Sequence, residues 1–202
     1  MNYENKELCA KCGGDCCKRV PGEARPEDFG GSEKLIKNLT AAFKTRKWAI
    51  DWWEGDPRPK NRVKVKDRLD RTYYVRPARK KYAGKDWKIC DPAWDGECAF
   101  LTKTGCELEH DRRPSTCKLV EPKEKPASMP VHESNCIVHE GGGKEACAKA
   151  WIPYQDVLKL MIKKFGSGME LGEHGIGDGD DLFDKLVRDA MAFWKNVRNI
   201  GD

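Results

Sequence analysis

The chain has 202 residues, 39% of them apolar and 35% charged, with a formal net charge of +5. That length predicts one domain, residues 1–202, and the surplus of positive charge is too small to argue for a nucleic-acid partner by itself. No apolar run approaches the ~20 residues of a membrane span, and residues 1–8 are polar without the apolar centre of an export signal. The expectation is a cytoplasmic protein with no membrane partner. Ten cysteines in such a chain point to metal binding rather than to a disulfide framework.

The first cysteines come at once. Cys9, Cys12, Cys16 and Cys17 are spaced C-x2-C-x3-C-C. On a continuous helix Cys9, Cys12 and Cys16 would share one face, at i, i+3 and i+7. If Gly13-Gly14 breaks the helix, a loop can still turn its thiols inward. Cys17 follows Cys16 directly and is expected to point elsewhere, toward a second centre, a bridge or the core. Thiolates this crowded repel one another unless a cation takes up their charge.

Residues 18–31 are polar and broken by Pro21, Gly22 and Pro26. A helix is predicted over about 32–54, with Ser32 as N-cap and a stripe running from Leu35 to Trp53. Residues 57–89 hold thirteen Lys or Arg against three Asp. Val63 and Val65 alternate with lysines, and Thr72-Tyr73-Tyr74-Val75 is β-branched and aromatic. The segment therefore predicts a basic β-hairpin insert. Tyr73, Tyr74, Tyr82 and Trp87 lie among the cations, as in a nucleic-acid surface. The competing reading is a solvated hairpin whose aromatics pack inward.

The second cysteine set is C-x-F-L-x3-G-C-x6-R-P-x2-C, carrying Cys98, Cys106 and Cys117. Cys98 to Cys106 predicts a short hairpin that brings two thiols close, and Arg113-Pro114 opens a turn presenting Cys117. Arg113 is expected to bond a carboxylate or carbonyl. Neither zinc-ribbon nor ferredoxin spacing occurs in this set. A Pro- and Lys-rich loop over 118–135 leads to Cys136. A helix broken near Pro153 is predicted from about 144 to 165. A glycine-rich stretch follows over 166–180, without EF-hand spacing. An amphipathic C-terminal helix is predicted over 180–199.

The two cysteine blocks together resemble the YkgJ-type cysteine-cluster family, a zinc- or iron-chelating domain. The resemblance rests on Cys9, Cys12, Cys16, Cys17, Cys98, Cys106 and Cys117, with Phe100, Leu101, Gly105, Arg113 and Pro114. It implies metal or cluster binding. The larger flagellin lysine N-methylases are among the members, so methyl transfer or iron–sulfur redox chemistry is one alternative activity. A nucleic-acid accessory role for the 57–89 face is another.

Thiolates are soft donors that select zinc, Cu(I) or iron–sulfur clusters. Seven motif cysteines exceed one four-coordinate site and fall one short of two. The eighth donor could be Cys136, Cys90, Cys147, His110 or His139. Cys136 is favoured because the loop before it can fold back, whereas Cys147 reads as a small buried apolar residue. The expected metal ligands are therefore Cys9, Cys12, Cys16, Cys17, Cys98, Cys106, Cys117 and Cys136, holding zinc or an iron–sulfur cluster in one centre or two. A zinc staple without chemistry, a redox cluster, and disulfides or unligated thiols remain the readings of this set. No Ser-His-Asp arrangement, HExxH motif or phosphate loop is present. The expected fold is a small, helix-rich α+β domain tied by its cysteine centre.

Overall fold

Short helices and small antiparallel sheets alternate along the chain, an α+β mixture, in the computed structural model. It describes residues 3, 5–19, 21–92, 96–124, 126, 128–129 and 136–166, without the Cys12 side chain. The predicted 180–199 helix and most of the glycine-rich stretch lie outside the described residues.

Helix α1, Lys6–Cys12, is capped by the Asn5 side chain, which accepts from the Leu8 N–H at 3.0 Å. It ends at Gly13, whose left-handed φ of 63° lets its N–H bond back to Ala10 and Cys9. Gly14 has φ 72°, and a Cβ there would stand 2.6 Å from Leu101 Cδ1. The glycine pair thus turns the chain sharply into α2, Asp15–Arg19. Of the two sequence readings of this motif, the broken helix is the one adopted.

Helix α3 covers Gly31–Lys44 and buries Leu35, Leu39 and Phe43. The expected continuation to residue 54 is corrected. Arg46 takes a positive φ of 56°, and Trp48–Glu54 forms strand β1. Trp48, Ile50 and Trp52 satisfy a period of two as well as a period near 3.6. The buried cross-strand partners decide in favour of the strand.

Strand β1 pairs antiparallel with β2, Arg71–Pro77, in register Trp48↔Pro77 through Glu54↔Arg71. A hairpin therefore exists, but its first strand precedes the basic segment. The predicted strand at 63–66 is corrected to 3₁₀ turns at Lys60–Arg62 and Val65–Asp67. Val65 is 86% exposed, so its alternation with lysines had no buried face to define a strand.

Two elements near the C-terminal end cover this hairpin. They are α5, Lys144–Trp151, and α6, Gln155–Phe165, joined by a 3₁₀ turn at Ile152–Tyr154, which is the expected break at Pro153. Tyr74, Val75, Ile50, Phe43, Trp151, Leu158 and Met161 meet in one core. Gln155 clamps the open edge of β2, accepting from Tyr73 N and donating to Tyr73 O, both at 2.9 Å. Cys90 is bridged to Ile50 in this core, and Cys147 is fully buried there, as expected of a small apolar residue.

Beneath the sheet lies a buried ionic cluster. Arg76 Nε meets Asp51 Oδ2 at 3.1 Å and Arg76 Nη2 meets Asp91 Oδ2 at 3.3 Å, while Tyr74 donates to Asp51 at 2.8 Å. Every member has a partner, the condition under which such a cluster is tolerated.

Candidate metal centre

A second, smaller apolar cluster of Cys98, Phe100 and Leu101 packs against Cys17, Cys106 and Leu108. Trp48 joins it to the main core, edge-on to Phe100 with centroids 5.3 Å apart. The cysteine segments are hung around this small cluster by backbone bonds.

The Cys98 N–H donates to Cys17 O at 2.8 Å, fixing α2 beside the second cysteine block. Strands β3, Leu101–Thr102, and β4, Gly105–Cys106, form the expected short hairpin, with Leu101 opposite Cys106. Arg113 Nε donates to Leu108 O at 3.0 Å, so the Arg-Pro turn is held through a carbonyl, as anticipated.

Helix α4, Ser115–Lys118, carries Cys117. Asp28 anchors its start, accepting from Ser115 N at 2.7 Å and from Ser115 Oγ at 2.8 Å. Thr116 interlocks with Glu23, its Oγ1 accepting from Glu23 N at 2.6 Å and donating to Glu23 O at 3.0 Å. Finally β5, Val120–Glu121, pairs with β6, Ile137–Val138, which brings Cys136 back to the site. The expected fold-back of the loop before Cys136 is realised in this pairing.

The result is a cavity of about 480 Å³ lined by seven cysteines: Cys9, Cys16, Cys17, Cys98, Cys106, Cys117 and Cys136. Cys12 ends α1, but its side chain lies outside the described residues. Cys17 does not point to a separate place. Its Sγ is 3.8 Å from Cys16 Sγ, and it lines the same cavity while packing against the Cys98, Phe100 and Leu101 cluster. Of the five candidates for an eighth donor, Cys136 and His110 line the cavity. Cys90 and Cys147 belong to the main core, and His139 stacks on Tyr3 while bonding Glu121 at 2.9 Å.

The thiols perturb one another. Cys16 accepts a hydrogen bond from Cys136 that lowers its pKa. Its bond to Cys17, burial, and the nearby Cys17 and Cys9 outweigh this and push it up to about 12. Burial, aided by Cys106, raises Cys98 to about 12. Burial first, then Cys98, Cys106 and Cys16, holds Cys117 well above the ordinary value. Cys9, Cys17 and Cys136 act on Cys16, and Cys98, Cys106 and Cys16 act on Cys117, so the two cysteine blocks feel one another across the cavity. Among the described residues, no three His, Cys, Asp or Glu donors are drawn together closely enough to hold a metal ion.

Sequence reasoning missed Glu23, which lines the same cavity and whose carboxyl is raised by burial against the lowering bond from Thr116. It lies in the polar stretch after the first motif. The adjacent Gly22 is the one local signal, since a Cβ there would collide with Cys117 Sγ and stand 2.9 Å from Thr116 Oγ1.

Most cations of the basic segment are exposed, and its arginines are the ones drawn onto carboxylates. Arg76 is buried on Asp51 and Asp91, and Arg79 meets Asp91 at 2.5 Å. Arg58 Nη2 meets Asp56 at 2.6 Å, and these bonds hold the Asp56 carboxyl below the usual range. Tyr74 is in the core and Tyr73 and Trp87 pack against it, leaving Tyr82 as the aromatic among Arg79, Lys81 and Lys88. Among the described residues no helix is long and apolar enough to cross a membrane. The chain matches no family model, no curated protein and no solved structure.

Proposed function

We propose that this chain is a cytoplasmic cysteine-cluster protein of the YkgJ type that holds zinc or an iron–sulfur cluster in the thiol-lined cavity. One observation carries the reading. Seven cysteines from separate stretches of the chain line one cavity, and they are six of the seven motif cysteines plus Cys136, whereas Cys90 and Cys147 are buried elsewhere.

The donor set fits soft metals in kind. It also fits in spacing at one pair. Two thiolates on a tetrahedral zinc with bonds of about 2.3 Å are about 3.8 Å apart. Cys16 and Cys17 have that separation. The other thiols share the cavity without forming a three-donor set, so loading requires them to close on the ion or cluster. The raised pKa values of Cys16, Cys98 and Cys117 keep those three thiols protonated before metal enters. Metal binding then releases protons and cross-links α1, α2, β4, α4 and the Cys136 segment.

Cys9, Cys12, Cys16, Cys17 and Cys136 would supply one set of donors and Cys98, Cys106 and Cys117 the other, with His110 beside them. Bound zinc would supply a structural cross-link; a bound iron–sulfur cluster would supply an electron-transfer centre. Purification without oxygen, followed by metal and sulfide analysis and a visible spectrum, tests the reading. At least one zinc or one cluster per chain is expected. A metal-free, colourless protein that takes up neither on reconstitution would overturn it.

A further inference from the structure

A second, open pocket of about 550 Å³ lies at the end of α2, lined by Lys18, Arg19, Arg79, Lys80 and Lys81. Glu97 is the acidic residue among the described residues that line it. The pocket is built from the backbone outward. The Gly96 N–H donates to Arg19 O, and the Lys80 N–H donates to Glu97 O at 2.6 Å. Arg79 and Cys98 form an isolated bridge. These bonds lock three separate segments into one concave surface.

Internal carboxylates answer part of the charge. Arg79 meets Asp91 at 2.5 Å, Lys80 meets Glu97 at 2.6 Å, and Lys18 meets Asp15 at 3.1 Å. Arg19 and Lys81 have no carboxylate partner among the described residues. Two uncompensated cations facing one pocket repel until an anion enters between them. In the preceding loop Arg58 and Arg68 are bonded to Asp56 and to Lys60 O, while Lys60, Arg62, Lys64 and Lys66 are exposed and do not line the pocket. A guanidinium fork beside ammonium groups matches a tetrahedral dianion better than it matches a single carboxylate.

We propose that this pocket binds a small phosphate-bearing anion, with Arg19 and Lys81 as its principal cations and Lys18 completing the set. Because Arg19 also lines the thiol cavity, the anion would sit beside the Cys16–Cys17 turn. The proposal is independent of what the thiols hold.

Calorimetric titration of the full chain tests it, with ADP, inorganic phosphate and a single-stranded oligonucleotide as separate probes. ADP should bind once per chain, inorganic phosphate should compete with it, and rising salt should weaken both. Lys81→Gln, whose side chain lies outside the thiol cavity, should lower ADP affinity about tenfold, and Arg19→Gln at least as much. Metal content and melting temperature of Lys81→Gln should stay at the wild-type level, which separates this result from any failure of the metal reading. No heat with ADP or phosphate at millimolar concentration, or affinity unchanged by Lys81→Gln, would overturn the pocket. Binding of the oligonucleotide alone would replace it with an extended nucleic-acid track.

Discussion

The Sγ atoms of Cys16 and Cys17 stand 3.8 Å apart on the wall of one cavity, although consecutive helical residues point about 100° apart. The short helix that bears them is set by the glycine turn before it and by the bond from Cys98 N to Cys17 O. If both thiols serve one centre, neither is dispensable. Cys17→Ser should lose metal to the same degree as Cys16→Ser. A loss of about 2 kcal/mol would lower the melting temperature by roughly 4–8 °C in a chain of this size. Full metal content in Cys17→Ser would assign that thiol to packing alone.

The cysteines of the main core provide the contrast. Cys90→Ala and Cys147→Ala should leave metal content unchanged and cost about 1 kcal/mol each by urea denaturation, since Cys90 is buried in the apolar core and Cys147 is fully buried beside Arg25. Metal loss in either variant would move the centre away from the cavity.

Gly22 offers a probe that changes no ligand. An added methyl would collide with Cys117 Sγ and crowd Thr116 Oγ1 at 2.9 Å. Gly22→Ala should therefore displace the Cys117 thiol, destabilise the protein by about 1–3 kcal/mol and reduce metal content. Wild-type metal content and stability together would mean that the Thr116–Glu23 clasp does not set the position of Cys117.

The pH dependence of the empty and loaded forms should have opposite signs. Cys16 and Cys98 rise from 9.0 to about 12 in the folded, metal-free protein, and burial also raises Cys117 well above 9.0. A raised thiol pKa means that the fold favours the proton. That contribution is complete below pH 9.0, the unfolded value, and is lost as pH climbs toward 12. With metal bound the thiolates are held by the cation, so stability falls as acid competes for them. Urea denaturation across pH 6–10 should thus show the metal-free form weakening at the alkaline end and the loaded form weakening at the acid end. A metal-free form that gains stability above pH 9 would contradict this.

What the sequence disclosed was chemistry and spacing more than direction. The C-x2-C-x3-C-C and C-x-F-L…G-C…R-P-x2-C blocks named the residues that line the cavity. Cys136 was reachable because the loop before it had the length and the prolines to return. The orientation of Cys17 was not legible. It depends on left-handed backbone at Gly13 and Gly14, which redirects α2 after a motif that also suits a continuous helix. Strand β1 was hidden for a related reason: Trp48, Ile50 and Trp52 fit both periods, and only pairing with β2 resolves them. Val63 and Val65 misled in the reverse way, alternating correctly while facing solvent or its margin on both sides. Glu23 carried no sequence signal beyond the adjacent Gly22, since its place in the cavity depends on Thr116, 93 positions away.

X-ray absorption at the zinc or iron edge of the anaerobically purified protein tests the central claim most directly. The account predicts a sulfur shell at about 2.3 Å with close to four sulfur atoms per metal, diminished in Cys106→Ser. A first shell of oxygen and nitrogen alone, or a sulfur shell unchanged when Cys106 is replaced, would contradict metal binding by the thiols of this cavity.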